Sequence, residues 1–324
     1  MIKTWSTPAG KERKRTVPCT LCGGNSAANS ENESFSPHFS CEGFSYVRCG
    51  RCGLVQMNPQ PEQAEVIRRY REGSGEDYLS YELKNETAFL RLQELALKDA
   101  GLEELERELR ARSAARPRVL DAGCATGALL EKLRDRGWAA AGVEISPAAE
   151  YARKKRSLDV RSLPLEENRF PHAGFDMVLA SHLIEHLNDP VSFAREVYRI
   201  LAPGGYFIVT TPNIDGFQAR LFRSHWRSAI FDHLYLFSIK TLSRLLTDQG
   251  FVIERVRTWG GLAAGSAPAP LKRIADKAAK RFGFGDVMLL RGRRPPMDPF
   301  NWVCGNAQEN ELWGPVSKKH EGPP

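Results

Sequence analysis

No run of about 18 apolar residues occurs in the 324-residue chain, which excludes a helical membrane span. The amino-terminal stretch MIKTWSTPAGKERKRTVPC lacks an apolar h-region, so no signal peptide is read there and a cytoplasmic location is expected. Internal repeats are absent. Aromatic residues do not interleave with basic ones in the way that stacked bases require. The charge also lacks concentration. Lys plus Arg exceed Asp plus Glu by 46 − 39 = 7, which favours anionic partners in general. Dense basic clusters occur only at Lys11–Arg15, Arg153–Arg156 and Arg291–Arg294, and they read as solvated surface.

Cysteine is scarce outside one segment: five of the seven lie between Cys19 and Cys52. Clustered cysteines in a reducing compartment point to metal ahead of disulfides. Cys19 and Cys22 form one C-x-x-C pair, and Cys49 and Cys52 form another, each followed by glycine. Two such knuckles supply four thiolates to one tetrahedral Zn²⁺, a closed set whose role is structural. A redox C-x-x-C needs a βαβ setting, which this segment lacks. Cys41 is a fifth candidate and ranks last.

Composition divides the chain into five parts. Residues 1–16 are polar and basic and are expected to be disordered. Residues 17–60 form the zinc-ribbon module. Residues 61–116 are rich in Leu, Glu and Arg at helical spacing and read as a connector or lid, in which Tyr70, Tyr78 and Tyr81 are placed to cover a ligand. Residues 117–294 alternate strands with helices, the pattern of a doubly wound, mostly parallel α/β sheet. Asp189–Pro190 and Ser238 open two of these helices. A Gly/Ala/Pro-rich loop follows Gly260, and LKRIADKAAKRF reads as a basic amphipathic helix. Residues 295–324 form an irregular tail.

Within the α/β part, VLDAGCATG ends a strand in an acid and turns through Gly123 and Gly127. The glycines remove side chains where exposed helix N–H groups face a ligand. The spacing is G-x-x-x-G; the middle glycine of a dinucleotide fingerprint is Ala125. Asp121 beside a pyrophosphate would repel it, whereas beside an ammonium or sulfonium it attracts. Glu144, about 20 residues on at the next strand's end, suits ribose hydroxyls.

The combination VLDAGCATG…GVEIS…FDMVLASHLIEHLNDP…ILAPGGYFIVTTPN, over residues 118–259, resembles class I S-adenosylmethionine-dependent methyltransferases. It is most similar to the branch holding quinone-biosynthesis O-methyltransferases and sugar and small-molecule methyltransferases. The resemblance implies a Rossmann-like seven-stranded sheet. It places Asp121, Gly123, Cys124 and Gly127 at the methionine end, Glu144 at the ribose, Ile145 beside the adenine, and Ser181 and His182 beside the methionine moiety. The acid that often contacts the adenine amine is missing; Ser162 and Leu163 occupy that region. Cys124 reads as a small packing residue ahead of a nucleophile. An N-terminal ribbon before such a domain resembles sugar and natural-product methyltransferases, and in another arrangement RNA methyltransferases.

Transfer to oxygen calls for a base, and histidine suits neutral pH. His182 and His186 follow the fourth strand. The alternative role for His186 is to prepare the turn before Asp189. The long loop RSHWRSAIFDHLYLFS holds His225, Trp226, His233, Tyr235 and Phe237, suited to an apolar-walled acceptor pocket, with His233 the first choice of base. The expected function is O-methylation of a small-molecule acceptor. An RNA methyltransferase docking through the zinc module and a non-catalytic cofactor-binding protein are the alternatives.

Overall fold

The computed structural model describes residues 13–23, 35–41, 43–72, 78–260, 277, 279–280 and 282–296. Expectations for residues 1–12, for the loop after Gly260, for most of the basic helix at 271–282 and for the tail beyond 296 lie outside them. The amino-terminal part contains β1 (Lys14–Arg15), β2 (Phe35–Cys41), β3 (Phe44–Cys49), β4 (Val55–Met57) and β5 (Gln60–Pro61). The connector follows as α1 (Gln63–Glu72), α2 (Tyr78–Ala100) and α3 (Leu102–Arg112). The α/β part runs β6 (Arg118–Ala122), α4 (Ala128–Asp135), β7 (Ala139–Val143), α5 (Ala148–Arg156), β8 (Asp159–Arg161), β9 (Phe175–Ser181), α6 (Pro190–Ile200) and β10 (Leu201–Pro212). It ends with α7 (Phe217–Phe222), β11 (Tyr235–Leu236), α8 (Ile239–Asp248), β12 (Val252–Trp259) and β13 (Val287–Arg293).

Seven strands form one sheet in the order β12-β13-β10-β9-β6-β7-β8. Neighbours from β10 to β8 are parallel; β13 is antiparallel to both β10 and β12. The chain leaves β6 outward through β7 and β8, then returns to β9 on its other side. That reversal makes a crevice beyond the carboxyl ends of β6 and β9. Both faces of the sheet are covered. On β9, Met177 and Leu179 join a cluster with Leu97, Leu105 and Leu133, while Val178 and Ala180 join one with Phe193 and Leu242. This two-residue alternation divides the strand between the α2–α4 layer and the α6–α8 layer.

Local signals set the helix ends. The Asp189 side chain accepts from Ser192 N–H at 2.9 Å, with Pro190 in the first turn. Ser238 and Thr241 form a reciprocal capping box at α8. Gly101, at φ 87°, separates α2 from α3. β10 begins earlier than the PGG turn suggests, at Leu201, with a register irregularity before Tyr206.

Two features differ from expectation. The basic cluster in β13 is not solvated surface: Arg291 and Arg294 are buried. Arg291 donates to the Ala100 carbonyl at 2.9 Å and pairs with Glu254 at 3.0 Å; Arg294 donates to the Leu201 carbonyl at 2.6 Å. These guanidiniums satisfy carbonyls at the end of a helix and at the start of β10. The second feature is β11. It joins an antiparallel sheet in the order β11-β4-β3-β2, so the cysteine segment takes its edge strand from between α7 and α8. Cys19, Cys49 and Cys52 share one core cluster with Leu120 and Val178 of the large sheet.

Ala125 sits at φ 47°, in the left-handed region that favours glycine. Relief of that strain outweighs the extra chain entropy of glycine, so Ala125→Gly should raise stability by about 0.5–1 kcal/mol, read by urea unfolding. A loss of stability would contradict the strain.

Candidate functional site

The turn after β6 is built by sterics. Gly123 and Gly127 have φ of 74° and 77°. A Cβ on Gly127 would lie 2.6 Å from Leu158 Cδ1, and one on Gly123 would lie 3.3 Å from Leu183 Cδ1. The N–H groups of Gly123 and Cys124 both donate to the Val143 carbonyl, at 2.8 and 3.1 Å, tying the turn to β7. Cys124 points away from the crevice into an apolar cluster with Leu130, Ala149 and Val160, and burial pushes its thiol well above the ordinary range. Its placement is that of a packing residue.

Glu144 closes the other side. Its carboxylate accepts from Ala125 N–H at 3.0 Å and Ser146 N–H at 2.8 Å. Asp121 is 1% exposed, and neither of its carboxylate oxygens has a hydrogen-bond partner. Burial, reinforced by the charge of Glu144, raises its carboxyl to about 8. A buried carboxylate without a partner is costly, and a cationic ligand group is what relieves it.

The connector contributes more acid. Thr126 Oγ1 donates to Glu86 at 2.6 Å, and Arg156 pairs with the same carboxylate at 2.7 Å. One turn earlier on α2, burial raises Glu82 to about 7; its hydrogen bond to Tyr78 opposes this, and Glu144 and Glu86 add to the rise. Tyr70 and Tyr78 pack edge to face, 6.0 Å between centroids. Glu82 and Glu86 escaped the reading of the sequence, although their i,i+4 spacing after Tyr78 marks one helix face. Of the other expected contacts, Ile145 lies two residues beyond β7 and Ser181 ends β9. Ser162 accepts from Arg153 at 2.7 Å, and Leu163 is exposed.

The three histidines gather around Glu185, which is fully buried. His182 has a positive φ of 51° and a side chain 49% exposed, with Nδ1 3.2 Å from Glu185 Oε1. His186 Nδ1 lies 2.9 Å from the Asp232 carbonyl and 3.0 Å from the Tyr70 hydroxyl. It therefore braces the connector and the long loop, rather than the turn before Asp189. His233 is only 6% exposed; its Nδ1 donates to the Ser228 carbonyl at 2.8 Å, and its ring meets His186 at 4.7 Å. Burial, with His186 alongside, lowers its pKa to about 3. Burial alone would raise Glu185, but the surrounding histidines, His182 foremost, bring it down to about 2.

A sequence profile of the methyltransferase-domain family matches residues 90–256, just over half of the chain. The chain belongs to that family. A probable S-adenosylmethionine-dependent methyltransferase of Mycolicibacterium smegmatis is 32% identical over 140 residues, 42% of this chain and 52% of that protein. A ubiquinone biosynthesis O-methyltransferase of Psychrobacter cryohalolentis is 32% identical over 105 residues, 30% of this chain and 41% of that protein. The chain thus spans about half the length, or less, of these curated relatives. A solved methyltransferase from Thermotoga maritima, described as a possible histamine N-methyltransferase, is 24% identical with a TM-score of 0.46, covering 67% of this chain and 97% of that one.

The second cluster is the thiols. Cys19 Sγ lies 3.4 Å from Cys52 Sγ, and Cys22 Sγ lies 3.6 Å from Cys49 Sγ. A disulfide holds its sulfurs at about 2.0 Å. Four thiolates at zinc bond length stand about 3.8 Å apart. The observed separations therefore suit a shared ion. Gly23 and Gly53, at φ 69° and 80°, follow the two knuckles and return their N–H groups to Cys19 and Cys49 carbonyls. Cys41 is elsewhere, with Sγ 3.5 Å from the Ser224 carbonyl.

Asp121 gives a pH signature. The unfolded chain loses this proton near 3.8, whereas the native one keeps it to about 8. Ligand-free stability should therefore fall as pH rises across that window, by on the order of a few kcal/mol. Asp121→Asn removes the slope. Its melting temperature should gain on wild type from pH 5 up to about 8 and level off above it, and a constant difference across that window would contradict the assignment.

Proposed function

We propose that this protein transfers the methyl group of S-adenosylmethionine to a hydroxyl of a small-molecule acceptor. The observation that carries the cofactor is the unpartnered, buried Asp121 at a glycine turn, flanked by Glu144, Glu82 and Glu86. A dinucleotide pyrophosphate would add anions to this crevice. The sulfonium and ammonium of S-adenosylmethionine bring the opposite charge. Asp121 and the backbone of Gly123 to Gly127 then hold the methionine end. Glu144 meets the ribose, Ile145, Ser162 and Leu163 border the adenine, and Ser181 and His182 flank the methyl.

The reaction is an in-line displacement. An acceptor oxygen attacks the methyl carbon, the carbon–sulfur bond breaks, and its electron pair returns to sulfur, leaving a neutral thioether. Alignment contributes much of the rate. Of the three candidate histidines, His182 has the open ring. With Glu185 holding Nδ1–H, its Nε2 is free to take the acceptor's proton. His233 and His186 stand behind it and shape the wall. The O-methyltransferase named among the relatives supports oxygen as the acceptor atom. Burial of Arg291 and Arg294 removes one of the basic clusters on which an RNA-docking face would draw. We also assign Cys19, Cys22, Cys49 and Cys52 to one structural Zn²⁺, which would lock the two knuckles together.

Calorimetry tests the cofactor. A cation lowers the pKa of Asp121 and Glu82, so binding near pH 7 should release protons, seen as a dependence of the apparent enthalpy on buffer ionisation. Glu144→Ala should weaken binding at least about tenfold, or 1.4 kcal/mol. Equal affinity in the two proteins would sink the ribose assignment. Metal analysis tests the zinc: Cys49→Ser should lose the thiolate-bound ion and lower the melting temperature, and undiminished thiolate-bound zinc would remove Cys49 from the site.

A further inference from the structure

We propose that Glu185, His186 and His233 form a second divalent-metal site, a two-histidine, one-carboxylate set suited to Zn²⁺ or another late first-row ion. One ligand atom from each residue lies within 4.8 Å of the others. Both imidazoles face at Nδ1 a backbone carbonyl, which can only accept; the Tyr70 hydroxyl beside His186 Nδ1 is able to accept as well. His186 faces the Asp232 carbonyl at 2.9 Å, and His233 faces the Ser228 carbonyl at 2.8 Å. Each neutral ring therefore carries its proton on Nδ1 and offers the Nε2 lone pair. Metal-bound histidines are oriented in this way by outer hydrogen bonds. Glu185 repeats the pattern: Oε1 takes the contact from His182, while Oε2 is buried without a partner. A carboxylate oxygen in that state needs a cation or a donor.

The backbone holds the three residues in place. Glu185 and His186 belong to the single 3-10 turn Ile184–His186, and Leu234 N–H donates to the Glu185 carbonyl at 2.8 Å. Tyr46 donates to the carbonyls of Ile230 and His233, fixing the other ligand. Three protein ligands leave a coordination position open, and His186 is partly exposed, so water or an acceptor oxygen has an approach. The thiol cluster differs on both counts, being all sulfur and closed.

Cobalt titration of the full chain, stripped of metal and refilled with Co²⁺, separates the two sites. Wild type should take up two equivalents, one with thiolate-to-cobalt charge-transfer absorption and one without. Glu185→Gln and His186→Asn should each keep the first and bind the second at least tenfold more weakly. Saturation of wild type at one equivalent, with thiolate bands, overturns the proposal, and this result requires no variant to fold. A second equivalent that persists at wild-type affinity in both variants overturns it as well.

Discussion

From Ser228 to Ser238 the chain between α7 and α8 is mostly buried, and buried backbone must find partners. It finds them in the amino-terminal sheet. Tyr235 and Leu236 pair with Gln56 and Val55, Met57 N–H donates to the Leu234 carbonyl, and the Tyr46 hydroxyl reaches the carbonyls of Ile230 and His233. Without β4 and Tyr46 this segment would carry several unsatisfied polar groups into the core. Trp226, Phe231 and Phe237 would also lose the cluster that buries them. The cysteine segment therefore holds the loop that carries His233.

The crevice itself is electrostatically uncomfortable when empty of a cation. Asp121 and Glu82 are raised mainly by burial and further by neighbouring acids, so each prefers to hold its proton. A fold selected for stability alone would replace them with apolar groups. Their presence beside a glycine turn makes sense if a positive ligand restores the balance. Methyl transfer then turns the sulfonium into a neutral thioether, which leaves one charge fewer to hold the product. On the proposed function, the same acids that favour binding of the donor would favour release of what remains of it.

Much of this was legible from the chain because its signals are local. The glycine spacing, the acids at the ends of β6 and β7, the Asp189 and Ser238 caps and the paired C-x-x-C knuckles each depend on a few adjacent residues. What escaped depends on distant partners. Nothing in FDHLYLFS announces that Tyr235 and Leu236 will pair with Gln56 and Val55, 179 and 181 positions earlier. Arg291 and Arg294 read as surface because their compensating carbonyls and Glu254 come from other elements. Glu82 and Glu86 lay in a helix whose facing surface was set only when α2 docked over the turn. The expectation of a loop carrying His225 and His233 did not foresee the inward burial of His233.

These distant contacts connect the thiol cluster with the Glu185, His186 and His233 cluster. Cys49 N–H donates to the Leu54 carbonyl, closing the second knuckle directly before β4. From β4, Met57 N–H reaches the Leu234 carbonyl, and Leu234 N–H reaches the Glu185 carbonyl, both at 2.8 Å. Glu185 in turn orients His182. Each link is a backbone bond with little lateral freedom, except the last. An ion at the thiols would restrain the knuckle that starts this chain, and the position of His182 is what the chain ends on. On the proposed assignments, a metal at the thiols would bear on methyl transfer by geometry alone, through the strand that the loop contributes to the amino-terminal sheet.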